Sequence, residues 1–251
     1  MGDYCFAESG LVSFQFTRSI NVGSYAFNKC NDLTNIDCQG VTLNLAEGAF
    51  CECRNLSQLR GFVSPSELPN KVFNNCVNLE INDILTSDSL KVIGDYAFGN
   101  CKFPSEIVIK PTIKKIGKET FSGFVGNVSI LDSEDVLNVD YSFSNMEISS
   151  FRLGRNLSSW RHESFSSALV EFIIGPLVTV IAPPFPAKEL EWAFNMDLRG
   201  DAYGGSPFVN CVNLKTVLIE PSNTVLTISG GGRLLKDEHY YNEHTYQEYN
   251  K

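Results

Sequence analysis

Val22-Gly23-Ser24-Tyr25-Ala26-Phe27-Asn28-Lys29-Cys30 returns farther along the chain as Ile93-Gly94-Asp95-Tyr96-Ala97-Phe98-Gly99-Asn100-Cys101. The phenylalanine at its centre marks a period. Such residues stand at positions 6, 27, 50, 73, 98, 121, 143, 165, 185 and 208, with intervals of 21, 23, 23, 25, 23, 22, 22, 20 and 23 residues. That period is too short for a helix pair or a propeller blade. It suits a solenoid in which each turn contributes one strand and a short return segment.

Each position around the phenylalanine has a packing reason. Five residues before it stands an apolar residue in most copies (Met1, Val22, Leu45, Leu68, Ile93, Ile116, Trp160), expected to point inward. A glycine usually follows (Gly2, Gly23, Gly94, Gly117, Gly204), as a tight turn or a positive φ would favour. Directly before the ring the side chain is small, as in Cys5, Ala26, Ala49, Ala97 and Ser142. Adjacent coils can then approach closely enough for the rings to stack into a continuous spine.

A second register follows, in Leu33-x-x-Ile36-x-Cys38 and Leu214-x-x-Val217-x-Ile219, with Leu11-x-x-Phe14-x-Phe16 and Ile148-x-x-Phe151-x-Leu153 as variants. Its final alternation has the period of a strand. Pro111, Pro176 and Pro221 close such strands, because a missing N–H ends the ladder.

The GxxAFxxCxxLxxIxIP pattern carried by these residues resembles the BspA-like, or Treponema pallidum type, leucine-rich repeats over about residues 1 to 221. The copies around Phe27, Phe50, Phe73, Phe98 and Phe208 match well, whereas those around Phe143, Phe165 and Phe185 lack the glycine and the cysteine. The expected fold is a repeat solenoid of about ten coils. One short parallel strand per coil would form a single curved sheet, and the return segments would be irregular or briefly helical. Stacked at strand spacing, the coils would extend roughly 43 Å. The expected organisation is a solenoid over 1–221, a closing strand or cap over 222–235 with its strand at Thr224 to Ile228, and a polar, tyrosine-rich tail over 236–251.

Composition excludes several function classes. A net charge of −9 and an isoelectric point near 4.9 argue against nucleic acid, which calls for clustered Lys and Arg. No run of 18 apolar residues predicts a membrane span, and no signal peptide pattern is present. Met1 already occupies the inward position ahead of Gly2-Asp3-Tyr4-Cys5-Phe6, so the chain is expected to begin inside a repeat. It reads as a piece of a longer protein, with an authentic start on a minimal first coil as the alternative.

Of eight cysteines, Cys30, Cys53, Cys76, Cys101 and Cys211 all fall three residues after a repeat phenylalanine. One recurring position predicts a ladder of buried thiols rather than a zinc site, which needs ligands converging in a compact loop. Neighbouring ladder thiols could close a disulfide with local adjustment. The histidines are His162, His239 and His244, and no nucleophile elbow, Walker A loop, HExxH or post-strand GxGxxG appears. No enzyme, metal or cofactor is therefore expected.

Residues alternating with the inward ones should face outward on the strands: Ser13, Gln15, Asn35, Asp37, Gln58, Arg60, Ser150, Arg152, Glu171, Thr216 and Glu220. They form a mixed polar surface, suited to a protein partner or to simple solvation. A second candidate is the tripeptide Arg199-Gly200-Asp201, the sequence integrins recognise, in a glycine-flanked stretch. Asn55-Leu56-Ser57, Asn127-Val128-Ser129 and Asn156-Leu157-Ser158 are glycosylation sequons, meaningful only in a eukaryotic secretory route. The resemblance implies a cell-surface or secreted, adhesin-like module that binds host or matrix proteins. A structural spacer within a larger protein is the alternative. The oligomeric state is left open.

Overall fold

The structure, a computed structural model, describes residues 1–159, 165–181, 211–222 and 227–228. Phe185, Phe208, His162, Arg199-Gly200-Asp201 and the tail from 229 lie outside the described residues. Within them the chain winds as a parallel-strand solenoid of about seven turns. Every strand pair is parallel, and nearly all of the strands are short.

The front strands are those expected from the Leu-x-x-Ile-x-Cys register: β1 (Ser13–Gln15), β3 (Asn35–Asp37) and β5 (Gln58–Arg60) form one sheet. A second front sheet contains β8 (Glu106–Ile109), β10 (Val125–Ile130), β12 (Glu147–Leu153), β13 (Glu171–Ile174) and β15 (Thr216–Ile219). Between the two sheets the coil after Phe73 replaces its strand with α1 (Asn82–Leu85). The 25-residue interval from Phe73 to Phe98 is the longest in the series, and α1 takes up that extra length. The front face is thus split rather than continuous.

The return leg carries a second strand, which the sequence reading left irregular. These are β2 (Ile20–Val22), β4 (Leu43–Leu45), β6 (Glu67–Leu68), β7 (Val92–Ile93), β9 (Lys115–Ile116), β11 (Asn138–Val139), β14 (Val180–Ile181) and β16 (Thr227–Ile228). Val22, Leu68, Ile93 and Ile116 point inward here and are buried. They share one core with the inward front residues Ile36, Ile107, Val128, Phe151 and Phe172.

At each phenylalanine the backbone makes a compact arch. The residue two before the ring has positive φ (Tyr4, Tyr25, Gly48, Lys71, Tyr96, Glu119, Tyr141), and so has the residue two after it (Glu8, Lys29, Glu52, Asn75, Asn100, Gly123, Asn145). Left-handed backbone at non-glycine residues costs roughly 1–2 kcal/mol each. The ladder that this shape permits offsets the cost: Tyr25, Phe27 and Lys29 donate their N–H groups to the carbonyls of Glu47, Ala49 and Cys51 in the next coil, at 2.8–2.9 Å. The same triplet recurs at Phe6, Phe50, Phe73 and Phe98.

The conserved-looking glycine therefore has another reason than the one expected. Gly2, Gly23, Gly94 and Gly117 do not have positive φ. A Cβ on Gly94 would lie 2.5 Å from the Asn70 nitrogen and 2.6 Å from the Pro69 carbon; on Gly23 it would lie 2.5 Å from the Gly2 carbon. The preceding coil also aims a side chain at this spot: Asp3, Asn70 and Asp95 each accept the N–H after the next coil's glycine, at 2.7–2.8 Å. Glycine makes room for that contact.

The ring spine is continuous through Phe6, Phe27, Phe50, Phe73, Phe98 and Phe121, with stacked centroids 5.1–6.1 Å apart. Beyond Phe121 the expected stack changes. Phe143 and Phe165 meet Phe151 edge-on, and Phe151 stacks on Phe172 in the front strands. Large rings at inward front positions shift the aromatic volume from the return leg to the front sheet.

Candidate functional site

The expected outward residues sit on the front strands in register. Ser13, Asn35 and Gln58 form one row, and Gln15, Asp37 and Arg60 the next. Inward Phe14, Ile36 and Leu59 lie between them. Gln15 Nε2 donates to Asp37 Oδ2 at 3.2 Å, and Arg60 Nε donates to Gln58 Oε1 at 3.0 Å. The rows lie in the three-stranded sheet.

Ser150, Arg152, Glu171, Thr216 and Glu220 belong to the other front sheet. Ser150, Glu171 and Thr216 align in one row, and Ser150 Oγ donates to Glu171 Oε2 at 2.8 Å. Glu220 falls just beyond β15 and is not a strand residue. It still joins the face, because Arg152 Nη2 reaches Glu220 Oε2 at 2.7 Å and Asp132 Oδ1 at 2.9 Å. Glu220 first, and Asp132 after it, hold the half-buried Arg152 guanidinium above its ordinary pKa against the opposing effect of burial.

Sequence reasoning missed part of this sheet. Glu106 and Asn127 extend the Ser150 row, while Val108, Ser129, Ile173 and Leu218 lie in the Arg152 row. The signal was present in Ile107-x-Ile109 and Val128-x-Ile130, whose alternation marks a strand without the leading leucine. A bulge at Gly126/Asn127 shifts the register within β10.

The thiols are where the period put them. Cys30, Cys53, Cys76 and Cys101 are buried and unpaired by disulfide, and each donates to the carbonyl of the preceding coil's phenylalanine (Phe6, Phe27, Phe50, Phe73) at 2.9–3.1 Å. Burial pushes Cys76 and Cys101 well above the ordinary thiol value, and Cys38 and Cys211 up to about 11. Phe124 and Met146 take the same position farther on and are buried as well. Among the described residues no cluster of His, Cys, Asp and Glu stands ready to hold a metal ion.

On the return-leg side the glycine row leaves a groove of about 390 Å³, bounded by Glu67, Pro69, Val92, Gly94, Asp95 and Lys115. Two of its lining side chains already serve the backbone, since Asn70 Oδ1 takes the Asp95 N–H and Asp95 Oδ1 the Lys118 N–H. The front face offers more. No described helix is long and apolar enough to cross a membrane.

A family model described as the BspA type leucine-rich repeat region matches in six copies, over residues 1–124 and 91–183. None of the curated proteins matches the chain. Among solved structures, a leucine-rich repeat protein from Bacteroides ovatus is 16% identical with a TM-score of 0.38, covering 80% of this chain and 64% of that one. A leucine rich cell surface protein from Faecalibacterium prausnitzii is 15% identical with a TM-score of 0.39, covering 89% and 83%. The chain spans less than two thirds of the first of these proteins. With its repeat matched from residue 1 to residue 183, the chain belongs to the BspA-type leucine-rich repeat family.

Proposed function

We propose that the chain is a non-enzymatic protein-recognition module that binds a protein partner through its front strand face, in the manner of a cell-surface or secreted adhesin. One observation carries the reading. Parallel sheets are ordinarily covered on both faces, yet here the outward rows of eight front strands are exposed or half-buried among the described residues. Their polar side chains are held in register by the ladder beneath. A rigid array of donors and acceptors at strand spacing loses little entropy on docking. Membership of the BspA-type repeat family is what suggests the location, and host or extracellular-matrix proteins are the proposed partner class.

The test is binding of the purified chain to a panel of purified matrix proteins. Asp37→Arg and Arg60→Glu should each weaken capture at least tenfold, while Asn44→Lys and Lys115→Glu on the return-leg strands leave it unchanged. Loss of binding with the return-leg variants alone would refute the front face. Asp201→Glu probes the Arg199-Gly200-Asp201 tripeptide in a separate cell-attachment assay, and unchanged attachment removes that tripeptide from the reading. A chain that captures no protein through either face fits the spacer reading instead.

A further inference from the structure

Both strand ladders of the solenoid stop at the same place. On the return leg β4 closes the sheet it forms with β2, and the next sheet begins at β6. On the front β5 closes the first sheet, and the next one starts at β8, beyond α1. β4 and β5 flank Phe50, whereas β6 and α1 flank Phe73, so both gaps lie between one pair of adjacent coils. Those coils remain joined at the arch. Gly48, Phe50 and Glu52 donate their N–H groups to the carbonyls of Asn70, Val72 and Asn74 at 2.7–3.0 Å. The two rings stack at 5.8 Å, and Cys76 Sγ donates to the Phe50 carbonyl at 3.0 Å.

A single residue accounts for the return-leg gap. Ala46, Gly94 and Gly117 each donate their N–H to the preceding coil, to the carbonyls of Val22, Leu68 and Ile93 at 2.8–3.0 Å. The corresponding residue in the coil of Phe73 is Pro69, which has no N–H to give. By alternation the Leu45 carbonyl faces that proline, and none of the described residues donates to it. Leu45 and Pro69 both line the groove on this side. On the front, α1 removes the strand that would have paired with β5.

We propose that this junction is a hinge. The coils up to Phe50 and those from Phe73 onward move as two bodies that pivot on the arch, and the front and return gaps widen together. At the junctions on either side such a motion breaks a strand ladder, β2 on β4 with β3 on β5 before it and β6 on β7 after it. Here neither strand face has ladder bonds to lose, so this is the place where the solenoid bends most cheaply. The hinge separates the two front sheets and sets the angle between the Asp37 and Arg60 row and the Arg152 row. On the front-face reading proposed above, a partner that touches both sheets fixes that angle.

Distance distributions between spin labels on the partner-free chain test the hinge whether or not the front face binds anything. Cys5→Ser removes the exposed thiol and leaves the buried ones. Asn21→Cys with Lys115→Cys sets labels across the junction. Glu106→Cys with Lys215→Cys sets them on or beside the outer strands of the second front sheet, and each pair spans four ladder steps. The crossing pair should give a distribution at least twice as broad as the control pair. Pro69→Ala keeps a Cβ and restores the N–H, so it should narrow the crossing distribution toward that of the control. Pro69→Gly is a second variant, carrying the residue found at Gly94 and Gly117, and circular dichroism and melting select whichever keeps the native fold. A crossing distribution as narrow as the control's would overturn the proposal. So would a broad one that the restored N–H leaves unchanged.

Discussion

At the scale of a residue, the glycine four before Phe6, Phe27, Phe98 and Phe121 shows how a repeat pattern encodes contacts between coils. Gly94 does not relieve a strained backbone; it yields space to Pro69 and Asn70 of the coil before it. Gly94→Ala should destabilise the chain by about 1–3 kcal/mol, since the atoms it meets are backbone and cannot rotate away. Gly2→Ala, with nothing within 4 Å, should leave the urea midpoint nearly unchanged. Equal effects at the two sites would mean that conformational freedom, not space, is what the position requires. In the coil of Phe50 the position holds Ala46, and there the preceding coil carries Ser24 rather than an Asp or Asn.

At the scale of an element, the junction near β12 depends on a buried arginine. Arg155 is 0% exposed, and its Nη2 donates to the carbonyls of Ile113 and Lys110 at 2.8 and 3.0 Å, more than 40 residues earlier. It ties the turn after β8 to the turn after β12. Arg155→Met keeps volume but leaves two carbonyls unpaired, and should cost at least about 2 kcal/mol in urea unfolding. Arg155→Lys should not restore the loss, because a single ammonium lacks the planar fork that serves both carbonyls. Full rescue by lysine would show that charge alone matters there. Nothing in the repeat pattern announces this contact. Arg155 stands in coils where the motif is weak, and its partners lie two coils away. The thiol ladder, by contrast, was legible because one spacing recurs and recurrence in a solenoid means shared environment.

At the scale of the molecule, the buried thiols connect stability to pH. Burial raises Cys38 and Cys211 to about 11 and lifts Cys76 and Cys101 further, whereas an unfolded thiol titrates near 8.5. A raised folded value means that the unfolded chain loses its proton first. The stabilising contribution is therefore intact below about pH 8.5 and declines as pH rises through about 11. The urea midpoint should fall across that window, and replacing Cys38 and Cys76 with valine should flatten the decline. A slope unaffected by those substitutions would assign the decline to other groups.

Period, inward positions, thiol ladder and front strands follow from the sequence by itself, because a solenoid repeats one local environment and each recurring residue samples it independently. The second strand of each coil, the positive-φ pair around each ring, the replacement of a front strand by α1 and the reach of Arg155 emerge only in the tertiary structure. These depend on which atoms of one coil meet the next, and a two-residue strand such as β7 is too short to show a period of its own. The same holds for the front face: alternation tells which side chains point outward, but only the register between coils decides which of them stand together.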